Sequence, residues 1–161
     1  MSYLIQNHKY SSTVASAQNI NTTTYTEITG SRGNATRQRP NSKIIYRFSF
    51  LASSILENDG GYKQKYMHVK LQKSNDGFSS NIVDVPNCLF NLSSDTRESD
   101  DGLSKTCTAF FIIEDFDSTE LRLVCRSYST SYEARLHTSS EFDGLTAQSE
   151  NYAANLMIIE V

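Results

Sequence analysis

Tryptophan is absent, proline occurs twice and glycine seven times in 161 residues. So little glycine and proline excludes collagen-like and flexible-linker sequences. The three cysteines, Cys88, Cys107 and Cys125, include no CxxC and no close pair. Their number and spacing argue against a disulfide framework and against structural zinc. No apolar run approaches the roughly 18 to 20 residues that a helix needs to cross a bilayer. The opening stretch Met1 to His8 has neither the basic start nor the long apolar segment of a signal peptide. A chain made and folded in cytoplasm is therefore expected. A basic excess is missing too: 15 basic residues face 18 acidic ones, for a net charge of −3. Proteins that live on nucleic acid carry a clear positive balance, because phosphate neutralisation dominates their affinity. Neither a nucleic-acid partner nor a membrane partner is expected.

The motifs of common enzymes are also wanting. GxSxG, GxGxxG, the P-loop, HExxH and a complete EF-hand loop do not occur. His8, His68 and His137 lie far apart in different contexts. Triads of Ser, His and Asp can be drawn at will from 23 serines, so such a match says nothing. A polysaccharide-cleaving enzyme would need two carboxylates about 5 to 10 Å apart in a cleft, and no spacing of Asp and Glu marks such a pair. The expectation is a protein without catalytic residues or cofactor.

What is present is a polar chain rich in hydroxyl and amide side chains. Serine, threonine and asparagine make up about 30% of it, far above ordinary usage, and mean hydropathy is −0.45. Nine tyrosines and eight phenylalanines are nevertheless too many for a disordered chain. Apolar residues alternate in short runs. In Lys43 to Leu51, Ile44, Tyr46, Phe48 and Phe50 take one face, with Arg47 and Ser49 on the other. Met67, Val69 and Leu71 alternate likewise within Tyr62 to Gln72. Asn81 to Val85 and Cys88 to Leu92 read as two short strands separated by Pro86-Asn87, a bend or edge signal.

Lys105 to Ile113 and Glu120 to Tyr128 read as a hairpin across the acidic connector Glu114 to Thr119. Pairing Phe111 with Leu121 would place Ala109 opposite Leu123 and Cys107 opposite Cys125. Buried thiols are expected there rather than a bridge, given folding in cytoplasm, with Cys88 unpaired in either case. Asn155 to Val161 forms a last apolar strand. About eight strands, with turn signals roughly every 8 to 15 residues and no amphipathic helix, predict an all-β chain, an antiparallel β-sandwich or jelly roll. Residues 1–22 read as a polar N-terminal arm, with one short strand at Tyr3 to Gln6, and residues 23–161 as the jelly-roll domain.

Two further clusters carry charge. Asp95 to Asp101 and Glu114 to Asp117 contain oxygen ligands of the kind calcium takes. They lack the glycine of an EF-hand loop, and solvated turns are expected. Arg32 to Lys43 holds Arg32, Arg37, Arg39 and Lys43 without one acid. It fits a docking patch for an acidic partner surface and equally a solvated loop. Asn21, Asn34 and Asn91 begin N-x-[ST] sequons, which mean little without a secretion signal.

The segment Tyr25-Thr26-Glu27-Ile28-Thr29, the basic loop after it, and Ser42-Lys43-Ile44-Ile45-Tyr46-Arg47-Phe48 resemble the opening of jelly-roll domains in tailed-phage virion proteins. Met67 to Gln72, Leu121-Arg122-Leu123 and the ending Asn155 to Val161 are similar in style, so the likeness spans about residues 25 to 161. The architecture is similar to the trimeric heads of complement and tumour necrosis factor. Tyr25 stands where such domains often have tryptophan. The resemblance implies a homotrimer located in the virion, bound to capsid or tail proteins as a decoration protein or short head fibre. Residues 1–22, with Arg32, Arg37 and Arg39, would then tie it to the particle. It suits a tail-fibre tip as well, in which Ser129 to Tyr132 and Ser139 to Asn151 would offer hydroxyls and aromatic faces to host glycans.

Overall fold

Period-two alternation runs through the long strands, and it decides which side chains are sealed. In the computed structural model, which describes residues 3–9, 18–54, 63–96, 104–116, 118–128, 134–142, 147–151 and 153–161, regular structure is entirely β. The strands are β1 (Tyr3–Lys9), β2 (Gln18–Ile20), β3 (Thr26–Glu27), β4 (Gly33–Thr36), β5 (Ile44–Ser54), β6 (Lys63–Ser74) and β7 (Val83–Thr96). They continue with β8 (Ser104–Ile113), β9 (Ser118–Ser127), β10 (Ala134–Leu136), β11 (Thr138–Phe142), β12 (Ala147–Asn151) and β13 (Asn155–Glu160).

Two antiparallel sheets pack face to face. In the larger, β5 is flanked by β8 on one side and by β13 and β10 on the other, with β1 beyond β13 and β2 beyond β10. In the smaller, β9 lies between β6 and the short strands β3 and β4, and β7 forms the edge. Apart from the β6–β7 pair, the long strands change sheet from one to the next. That back-and-forth path over two four-rank sheets is the jelly-roll architecture.

The core is the inner face of each sheet. Ile44, Tyr46, Phe48 and Phe50 of β5 are at most 2% exposed and meet Val69 and Leu71 of β6, Leu121 and Leu123 of β9, and Leu156 and Ile158 of β13 in one cluster. Phe48 and Phe50 stack at 5.4 Å between centroids. Each such burial contributes about 1.5–3 kcal/mol. Tyr46 puts a hydroxyl into this core and donates it to the Ser31 carbonyl at 2.5 Å. Burial holds that phenol well above its ordinary pKa.

Two expectations are corrected. β8 and β9 are not a hairpin: β8 pairs with β5, and β9 with β6, β3 and β4. Phe50 is the residue opposite Cys107, while Cys125 is opposite Thr26 and Val69. The four-residue connector reaches about 13 Å when extended, enough to cross the roughly 10 Å between packed sheets. Alternation specifies a buried face but not which strand lies beside it. Second, the segment around Pro86-Asn87 does not divide two strands. β7 is continuous, and its register against β6 jumps between Lys70↔Leu89 and Gln72↔Asp84. Asn87 takes φ 59° in this bulge, on an edge strand where a missing N–H is tolerated. The strand expected at Tyr3 to Gln6 is present within β1, which joins the larger sheet beside β13, while β2 joins it beside β10 with Ile20 fully buried.

Residues 138–151 contain the hairpin β11–β12. Its hydroxyl-rich sequence gives no apolar alternation from which to read a strand.

Candidate functional site

The basic loop between β4 and β5 is held from below by β13. Glu160, the inward-facing end of that strand and fully buried, accepts from the backbone N–H groups of Gln38 and Arg39 at 3.0 Å each and from the Ser42 hydroxyl. The Ser42 bond, foremost, holds its carboxyl below the usual carboxylate range. Asn41 makes the tight turn at φ 60°, a conformation asparagine tolerates.

The four cations of this stretch are engaged within the chain. Arg37 donates to the carbonyls of Phe116 at 2.7 and 2.9 Å, Glu114 at 3.0 Å and Ser42 at 2.8 Å, and its guanidinium lies 4.4 Å from the Phe116 ring centroid. It clamps the β8–β9 connector to the loop. Lys43 Nζ meets Glu114 at 2.5 Å, and the Arg39 guanidinium lies 4.0 Å from Glu160. Arg32 belongs to another neighbourhood, where it pairs with Glu27 at 2.6 Å and lies over the Phe78 ring. Arg37 and Lys43 border an open depression of about 440 Å³ with Pro40, Asn41, Ser42 and Glu114. With the donors of Arg37 committed to carbonyls and Lys43 to a carboxylate, the loop offers an outside acid fewer hydrogen-bond donors than its sequence indicates.

The outer face of the larger sheet is the surface that sequence reasoning missed. Along β5 and β8 the outward cross-strand partners are Ile45 with Ile112, Arg47 with Phe110, and Ser49 with Thr108. The Lys43–Glu114 ion pair continues the same row, and the hydroxyls of Ser49 and Thr108 lie 2.9 Å apart. On β5's other side Ile159 faces Ile45 and Met157 faces Arg47. Phe110 and Ile112 are each 55% exposed, and Val161 is 39% exposed. An apolar centre is thus bounded by an ion pair at one end and hydroxyls at the other. The signal was legible in Phe110-Phe111-Ile112-Ile113 and Met157-Ile158-Ile159, where apolar residues occupy both faces of a strand.

The outer face of the smaller sheet is largely polar, with Leu89 of the edge strand β7 exposed opposite Lys70. Glu27 accepts from both Arg32 and Arg122, and Arg122 also donates to Gln72 at 3.0 and 3.2 Å. Lys70 pairs with Asp84 at 2.6 Å. Phe78, at the unusual φ of 62°, lies under the guanidinium groups of Arg122 (4.1 Å) and Arg32 (5.0 Å). Asp76 organises the loop before it, accepting from Ser74, from Ser80 through both hydroxyl and backbone, and from the N–H groups of Ser79 and Asn81.

The remaining candidates separate. His68 is half-buried on this outer face, whereas His137 is fully buried against Phe50, 6.4 Å between centroids. His8 has no described side chain. Cys88, Cys107 and Cys125 are buried thiols, and none is in a disulfide. Glu114 and Asp115 pair with Lys43 and Lys73, while residues 97–101 and Asp117 lie outside the described residues. Among the described residues no group of three His, Cys, Asp or Glu side chains is placed to hold a metal ion, and no helix is long and apolar enough to cross a membrane. Of the segments expected to meet sugars, 129–133 and 143–146 lie outside the described residues. A scan against protein-family models finds no match, and a search of curated proteins finds none.

Proposed function

We propose that the protein is a structural, non-enzymatic subunit of a phage virion, a homotrimer that assembles through the outer face of its larger sheet and sits on capsid or tail proteins. One observation carries the reading: the apolar ladder of Ile45, Phe110, Ile112, Met157 and Ile159 on the outside of the sandwich. Apolar side chains gathered on one rigid face with a polar rim are the anatomy of a protein interface. A second copy of the chain supplies the matching apolar surface. The jelly-roll path and the phage-like opening segment support the number three and the particle. The basic loop contributes through its shape, set by Glu160 and Arg37, rather than through free charge.

The test is absolute mass by light scattering for the wild type and for Ile112→Glu, with particle binding measured by co-sedimentation. The wild type is expected at three times 18.1 kDa and bound to capsids or tails. Ile112→Glu is expected as a folded monomer, because three buried carboxylates without counter-charges cannot share the interface. A wild type that is monomeric at every concentration, or that binds no particle, would overturn the proposal.

A further inference from the structure

The outer face of the smaller sheet carries four cations, and three have carboxylate partners. Arg32 and Arg122 share Glu27, and Lys70 holds Asp84. Glu120, on the same face of β9, adds its field at Arg32. Arg126 is the fourth. Among the described residues no carboxylate pairs with it, and its Nε is sealed from solvent without a hydrogen-bond partner. Its guanidinium lies 5.1 Å from the Tyr25 ring centroid, and the Nζ of Lys70 lies 4.0 Å from that same centroid.

Two further side chains complete the cluster. His68 is directly opposite Arg126 in the β6–β9 register. Tyr128, the next outward position after Arg126, is 68% exposed. Two aromatic rings, a lysine, a histidine and an arginine without a carboxylate partner are therefore gathered at one end of a sheet, on strands rather than on a loose loop. The net charge of the chain is −3, so a local surplus cation runs against the average of the molecule.

We infer that Tyr25, His68, Lys70, Arg126 and Tyr128 form a binding site for an anionic saccharide. The guanidinium takes the carboxylate, sulfate or phosphate of the sugar through its two terminal Nη groups. Tyr128 offers an exposed aromatic surface to the apolar face of the sugar ring, with its hydroxyl free to bond at the rim. A nucleic acid fits less well. The other cations of this face are already neutralised, and a phosphate polymer draws its affinity from several unpaired ones. The inference stands on these five residues alone and is independent of the virion proposal.

The full chain is titrated by calorimetry with three probes: sialyllactose for a carboxylate, a heparin tetrasaccharide for sulfate, and mannose 6-phosphate for phosphate. Lactose serves as the neutral control. At least one anionic probe is expected to bind saturably, and lactose is not. Arg126→Gln is expected to weaken that binding about tenfold or more, as the loss of a charge-assisted hydrogen bond requires, while Lys73→Gln, at the ion pair with Asp115 away from the site, leaves it unchanged. Should Arg126→Gln fail to fold, Tyr128→Ser carries the test at an exposed position and is also expected to weaken binding. No saturable binding of any anionic probe overturns the inference, as does wild-type affinity in the folded variant. Whichever probe binds identifies the acidic group.

Discussion

The carboxylate of Glu160 is hydrogen-bonded to the hydroxyl of Ser42, across 118 positions of sequence. Through that bond and two backbone N–H groups, the final strand sets the path of the basic loop. The carboxyl is held below its ordinary pKa, so in acid the unfolded chain takes up its proton first. The contribution to stability is complete above the reference value near 4.5 and is lost as pH falls through the lower folded value. Glu160→Gln should therefore melt below the wild type at neutral pH, and the gap should narrow as pH is lowered past 4.5. Thermal melts at pH 7, 5 and 3.5 read this directly. A gap that is constant or widens toward acid would show that the carboxylate is not the anchor.

Ser31 fills the gap between β3 and β4 beside β9, where the Leu123 carbonyl takes the Ile28 N–H at 2.9 Å but the Leu123 N–H meets a side chain. Its hydroxyl accepts from the Leu123 N–H at 3.1 Å and approaches the Leu123 carbonyl at 3.2 Å, wholly out of solvent. Ser31→Ala keeps the volume nearly constant and leaves a buried N–H without its partner. A loss of about 1–3 kcal/mol is expected in urea unfolding, with the slope of the transition unchanged. A loss below the lower bound would mean that Leu123 finds another acceptor.

The strands of the sandwich were readable wherever one face is apolar and the other is not. Ile44, Tyr46, Phe48 and Phe50 announce the inner face of β5, and Met67, Val69 and Leu71 that of β6. Pairing was not readable. Cys107 and Cys125 alternate in phase, yet they sit in opposite sheets, because a four-residue connector can turn back beside a strand or cross the sandwich equally well. β2 to β4 are too short to show a period, and the sequences of β11 and β12 carry no apolar alternation. Of the candidate site, the four basic residues were found by composition, but their partners were not. Arg37 is spent on backbone carbonyls, which no sequence pattern displays. The Arg126 cluster is assembled from β9, β6 and the residue before β3, so only register brings it together.

His137 is a buried imidazole at φ 64°, packed on Phe50, and burial pushes its pKa below 6.5. The unfolded chain binds a proton near that reference value, and the folded protein resists until lower pH. Stability is thus complete above about 6.5 and falls as pH drops below it, by at most about 1.4 kcal/mol per pH unit for this group. His137→Asn, which tolerates the same positive φ, should remove that part of the slope between pH 7 and 5. Chemical denaturation across this range makes the comparison. An unaltered slope in the variant would assign the acid sensitivity to other groups.

Cys125 lies between Val69 and Thr26 in the smaller sheet, fully buried, and burial pushes its thiol up to about 12. Cys88, on the edge strand β7, is raised by the same cause and is 5% exposed. The thiolate is the reactive form, so both should be nearly inert to an aromatic disulfide reagent in the native protein at pH 8. None of the three cysteines is in a disulfide, so denaturation without reductant should release three equivalents at once. In the native state Cys88 is expected to react before Cys125, because it is sealed only by the edge of the sheet, where local opening is cheapest. Stopped labelling followed by peptide mass mapping gives the order. Two equivalents fewer on denaturation would reveal a bridge, and labelling of Cys125 first would place it at a surface.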